Sequence, residues 1–146
     1  MTKSDFKNPR AKHDFVGRTC SISAVGSYVP QKVLTNADLE TLVDTSNEWI
    51  LSRTGIHERR IAAANEFTSD MAAKAAMVAL NRAKVNPDDV DLIILATITP
   101  DMPFPATACL VQQKIEAFNA AAFDIEAACS GFVYALELAD NAIRLG

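Results

Sequence analysis

Asp91-Leu92-Ile93-Ile94-Leu95-Ala96-Thr97-Ile98-Thr99 is the stretch on which the fold turns. Leu92 to Ala96 are apolar without polar alternation, which reads as a strand buried on both faces, the mark of a parallel sheet. The run is far below the ~18 residues a membrane helix needs. On its N-terminal side, Thr68-Ser69-Asp70 gives a helix cap, and Ala72, Ala75, Ala76, Ala79 and Ala83 follow as one amphipathic stripe. Side chains so small permit close approach to a sheet or to another helix. Asn86-Pro87 stops that helix. On the C-terminal side, Pro100, Pro103 and Pro105 make a loop, with Pro105 in the first turn of a helix running to about Ala117. Ala121 to Glu126 is the next strand. Ala127-Ala128-Cys129-Ser130-Gly131 is then a tight passage into a last helix ending near Leu145.

The N-terminal part is less regular. Cys20, Ile22 and Ala24 alternate with Ser21, Ser23 and Val25, predicting a first strand from Thr19, broken by Gly26 and Pro30. Thr35-Asn36 caps a short helix through Val43, and a second runs from Asn47 to Ser52. Gly55 ends it, and Arg53, His57, Glu58, Arg59 and Arg60 form a charged loop. Strands alternating with helices predict a layered α/β fold with right-handed crossovers. Only a narrow polar stripe, Glu137, Asp140, Asn141 and Arg144, marks the last helix, so most of its circumference should be buried. Too few elements are present to bury it, and the chain reads as half of a larger layered unit.

Fourteen basic against eighteen acidic side chains give a net charge of −4. Five basic and two acidic residues fall within positions 1–18, leaving nine against sixteen in positions 19–146. So acidic a body argues against a broad nucleic-acid footprint. Residues 1–18 read as a loose polar arm without a secretory h-region. Cys20, Cys109 and Cys129 are odd in number and lack metal-ligand spacing, which points to a reducing, cytoplasmic setting and to no metal.

Position separates Cys129 from the other two. It follows a predicted strand and opens a predicted helix, where free N–H groups and the macrodipole favour a thiolate over a thiol. A thiolate there can attack a thioester, adjoining N–H groups can steady the oxyanion, and Gly131 lets the backbone approach the acyl group. The plainer reading, a small buried hydrophobe, stands beside it and is the one taken for Cys20 on its strand and Cys109 in mid-helix. Trp49 and Arg53 lie one helical turn apart, a spacing that can clamp an adenine nucleotide or amount to an ordinary surface pair. Arg59 and Arg60 read as a solvated face, with an acidic carrier protein as the second reading. His13 and His57 have no carboxylate or cysteine neighbour that marks a catalytic pair. Pro103-Phe104-Pro105 is a stiff aromatic tip suited to loop packing, a pocket wall or a dimer contact.

The runs Gly26-Ser27-Tyr28-Val29-Pro30, Thr35-Asn36-Ala37-Asp38-Leu39, Asp44-Thr45-Ser46-Asn47-Glu48-Trp49-Ile50, Arg53-Thr54-Gly55-Ile56, Glu58-Arg59 and Ala127-Ala128-Cys129-Ser130-Gly131-Phe132 together resemble the β-ketoacyl-acyl carrier protein synthase III family. The resemblance implies a thiolase-like α/β fold of α-β-α-β-α layers, with residues 19–146 as the N-terminal half of a longer synthase that acts as a homodimer. It implies that Cys129 takes an acetyl or other short acyl group from coenzyme A and passes it to malonyl-acyl carrier protein with decarboxylation, with no cofactor. Thr45, Trp49 and Arg53 would line the coenzyme A entrance, and Phe104 would reach the partner's acyl pocket. The family's catalytic His and Asn and its second oxyanion donor belong to the other half, and neither His13 nor His57 matches that His. The isolated chain is therefore expected to be inactive in condensation. A non-catalytic thiolase-like partner and a specialised-metabolite ketosynthase are the alternatives.

Overall fold

The computed structural model describes residues 19–146, so the arm expected at residues 1–18 lies outside the described residues. Nine regular elements follow in order: β1 (Lys32–Thr35), α1 (Asn36–Glu40), α2 (Asn47–Thr54), β2 (Glu58–Ile61), α3 (Thr68–Ala83), β3 (Leu92–Ala96), α4 (Thr107–Lys114), β4 (Ala121–Ile125) and α5 (Gly131–Leu145). Short 3-10 turns at Pro87–Asp89 and Ala128–Ser130 precede β3 and α5.

The parallel pairing expected of Leu92–Ala96 holds, but the strand is half-buried throughout rather than buried on both faces. β3 pairs in parallel with β4, from Leu92 opposite Ala121 to Ala96 opposite Ile125, with α4 as the crossover. Ile93 and Leu95 pack on a core of Ala73, Val111, Ile115, Ala117 and Ala120, while Leu92, Ile94 and Ala96 line a groove beside α5. Burial of Val111 and Ile115, almost complete, contributes about 1.5–3 kcal/mol each. The alanine stripe of α3 divides its work. Ala72 and Ala76 face this core beside Ala73, which the stripe did not include, whereas Ala75 and Ala79 meet the backbone at Gly26, where a Cβ would lie 2.1 Å from Ala75 O.

Five expectations are corrected. Thr19–Ala24 is not a strand, because a strand needs a hydrogen-bonding neighbour and none is present among the described residues. The charged loop contains a strand instead: β2 pairs antiparallel with β1, Lys32 opposite Ile61 and Thr35 opposite Glu58. α1 stops at Glu40, with the Thr41 hydroxyl donating to Asp38 O at 2.6 Å, and α4 starts at Thr107 rather than at Pro105. α5 is long and apolar as read, yet Phe132, Val133, Tyr134 and Leu145 are exposed, because no described element lies across them.

Local chemistry fixes the short helices. Thr35 Oγ1 accepts the Asp38 N–H at 3.1 Å while Asp38 Oδ2 accepts the Thr35 N–H at 2.8 Å, a reciprocal cap worth about 1 kcal/mol. Ser46 caps α2 through the Trp49 N–H at 3.1 Å, and Gly55 closes it with a left-handed φ of 68°.

Candidate active site at the turn from strand to helix

Cys129 is exposed on the 3-10 turn between the C-terminal end of β4 and the start of α5. The turn is tight and strained: Ala128 holds a φ of 44°, a region a non-glycine residue occupies at a cost of about 1–3 kcal/mol. Ser130 N–H donates to Ala127 O at 2.9 Å, and Gly131 N–H donates to Ala128 O. Those two amides are therefore already engaged. Among the described residues, the N–H of Cys129 itself has no acceptor, so it is the amide free to meet an oxyanion beside its own sulfur. Gly131 is buried against the end of β3, where a Cβ would stand 3.0 Å from the Ala96 Cβ.

Sulfur at the carboxyl edge of a parallel sheet is where open α/β sheets gather ligands. Cys129 opens on an apolar groove of about 1160 Å³ between β3 and α5, lined by Leu92, Ile94, Ala96, Phe132 and Leu136 among others. Thr45 and Trp49 line a separate cleft of about 350 Å³ with Asp44 and Ser46. Arg53 follows Trp49 by one turn of α2, exposed, but the two are not stacked. The cation over a ring among the described residues is Lys74 on Tyr28, 4.2 Å from its centroid. The two cavities share no lining residue. Phe104 stands 87% exposed at its loop tip, and His57 is exposed before β2.

The other cysteines differ from expectation. Cys20 is exposed, because its segment has no strand partner, and it has ionisable neighbours after all. The Asp140 carboxylate near it holds the thiol above its ordinary pKa, an effect that Arg144 opposes weakly. Cys109 lies in the first turn of α4 rather than in mid-helix, half-buried, with its Sγ 3.8 Å from Ala122 O.

Three polar residues escaped the sequence reading. Asn36 is almost wholly buried and ties four segments: its Nδ2 donates to Asn47 Oδ1 and Ile56 O, both at 2.9 Å, and its Oδ1 accepts from Arg59. Asp124 accepts the N–H groups of Thr107 and Ala108, each at 2.7 Å, capping α4 from β4. Asp101 accepts from both the amide and the hydroxyl of Ser69. A buried polar side chain without a local motif leaves no signal except its later satisfaction.

A parallel strand pair with its crossover helix and an exposed cysteine on the turn into the next helix make this a thiolase-like α/β protein. The chain superposes on the crystal structure of 3-oxoacyl-[acyl-carrier-protein] synthase III from Aquifex aeolicus with a TM-score of 0.80 and 56% identity, over 84% of this chain and 39% of that one. The priming β-ketosynthase of the R1128 polyketide pathway gives a TM-score of 0.84 at 37% identity, over 88% and 38%. A curated relative, β-ketoacyl-[acyl-carrier-protein] synthase III of Caldanaerobacter subterraneus, is 56% identical over 125 residues, 86% of this chain and 38% of the relative. Residues 123–146 match the family described as 3-oxoacyl-[acyl-carrier-protein (ACP)] synthase III. The chain is thus a part-length homologue of β-ketoacyl-[acyl-carrier-protein] synthase III, spanning about two-fifths of the length of the curated relatives it matches.

Proposed function

We propose that this chain carries the acyl-accepting portion of a β-ketoacyl-acyl carrier protein synthase III, with Cys129 as nucleophile. The Cys129 thiolate attacks the carbonyl carbon of a short acyl-CoA, and the new C–S bond replaces the bond to coenzyme A, which leaves as its thiol after taking a proton. The acyl-cysteine then meets malonyl-acyl carrier protein. Loss of carbon dioxide leaves an enolate whose carbon attacks the acyl carbonyl, frees the Cys129 thiolate and yields β-ketoacyl-acyl carrier protein. Thr45, Trp49 and Arg53 line the coenzyme A entrance, and Phe104 borders the acyl chain at a homodimer contact. The setting is cytoplasmic, in keeping with three free cysteines; no helix among the described residues is long and apolar enough to cross a membrane.

The observation that carries this reading is the exposed Cys129, its own N–H free, on the turn between β4 and α5. One oxyanion donor beside the sulfur supports acylation. Condensation also needs stabilisation of the enolate, for which the described residues offer no donor set beside Cys129. The chain alone is therefore expected to acylate slowly and not to condense. Incubation with acetyl-CoA followed by intact-mass analysis tests this: one acetyl group is expected, and none in Cys129→Ala. Acetylation that persists in that variant removes Cys129 from the chemistry.

A further inference from the structure

We infer that Asp101 is a positioning residue that, through Ser69, fixes the loop presenting Phe104 and so governs which acyl chains Cys129 accepts. The second clause rests on the proposed place of Phe104 beside the acyl chain. Residues 97–106 join β3 to α4, and the exposed ring of Phe104 does not anchor itself. The anchor lies three residues away. Asp101 Oδ1 accepts the Ser69 N–H at 2.9 Å, Oδ2 accepts the Ser69 hydroxyl at 2.5 Å, and the Asp101 N–H donates to Thr107 Oγ1 at 3.0 Å.

Ser69 is fully buried in the first turn of α3, and its oxygen also accepts from Lys114 Nζ at 2.6 Å. With the ammonium on one side, the hydroxyl proton points to Asp101, so the direction of the bond is set. Thr68 adds a second tie, its hydroxyl donating to Thr99 O at 2.7 Å. Thr107 in turn gives its N–H to Asp124 at 2.7 Å, on the strand that leads to Cys129. The loop is thus held on α3 and α4, and the prolines at 103 and 105 narrow the φ freedom left to the tip. Nothing in this network is positioned to react. Its effect on chemistry passes through the place it gives Phe104.

The test uses the 146-residue chain with Asp101→Ala, and Ser69→Ala in case the first variant fails to fold. Hydrogen exchange of residues 99–104 should quicken about tenfold in both, the factor expected when a charge-assisted hydrogen bond is lost, while β4 keeps its protection. In the homodimeric fraction, where Phe104 meets the partner's acyl pocket, the ratio of Cys129 acylation rates with acetyl-CoA and hexanoyl-CoA should shift severalfold, with Asp101→Asn closer to the parent. A smaller folded fraction lowers both rates equally and leaves that ratio alone. Unchanged loop exchange, or faster exchange with an unchanged ratio, overturns the inference. If the parent chain takes up neither acyl group, the proposed function fails, and loop exchange alone decides the clamp.

Discussion

Asp124 on β4 holds the first amide of α4, its Oδ2 2.7 Å from the N of Thr107. Ala106, at the cap position, has no side chain to do this, so the cap comes from a strand seventeen residues further along the chain. Asp124→Ala removes two charge-assisted bonds and should cost about 2–3 kcal/mol, read as a lower urea midpoint at unchanged slope. An unchanged midpoint would show that water caps α4 equally well.

Two glycines should respond to alanine for different reasons. At Gly26 a Cβ would lie 2.1 Å from Ala75 O and 2.6 Å from Ala79 N, so the segment must lift from α3, at a cost of about 1–3 kcal/mol or more. At Gly55 there is open space but a φ of 68°, and the penalty is the backbone's own, about 1 kcal/mol. Thermal unfolding should rank Gly26→Ala below Gly55→Ala; the reverse order would remove the close contact of Gly26 with α3.

Alkylation by iodoacetamide at neutral pH should report on the setting of Cys20. The Asp140 carboxylate raises the Cys20 pKa, so less thiolate is present there than at an ordinary cysteine. Asp140→Asn should therefore accelerate Cys20 labelling without changing that of Cys109, half-buried in α4. Peptide mapping that finds equal Cys20 rates in both proteins would contradict this pairing.

Acid should weaken the fold in a defined direction. Thr35 holds the Asp38 carboxyl below the usual carboxylate range, as Lys74 and Tyr28 do for Glu66, and as Lys114 and the Phe67 amide do for Asp70. The unfolded chain therefore binds protons at higher pH than the folded one. This stabilisation is complete above the ordinary carboxylate pKa and is lost as pH falls through the folded values. Urea midpoints should decline below about pH 5, and Glu66→Gln should flatten that decline. A pH profile identical in the variant would mean that Glu66 contributes none of it.

The legible parts were those governed by local pattern. Leu92–Ala96 has no polar alternation, as suits a strand paired in parallel between helices; Thr35 and Gly55 carry their capping roles in their own side chain or its lack. Glu58–Ile61 hid as a charged loop because its pairing comes from β1, not from any alternation of its own. Asn36, Asp101 and Asp124 were illegible because the partners of their side chains lie between eleven and thirty-two residues away in other segments. At the site, Cys129 was legible from its place between a strand and a helix. The engaged amides of Ser130 and Gly131 were not, since that depends on the dihedral angles of a three-residue turn.

Ala96 abuts Gly131 so closely that the last residue of β3 acts as a shim under the first turn of α5. Thickening it to valine would tilt the helix outward and carry the thiol with it. The height of the sulfur above the sheet is thus gauged by a single methyl group.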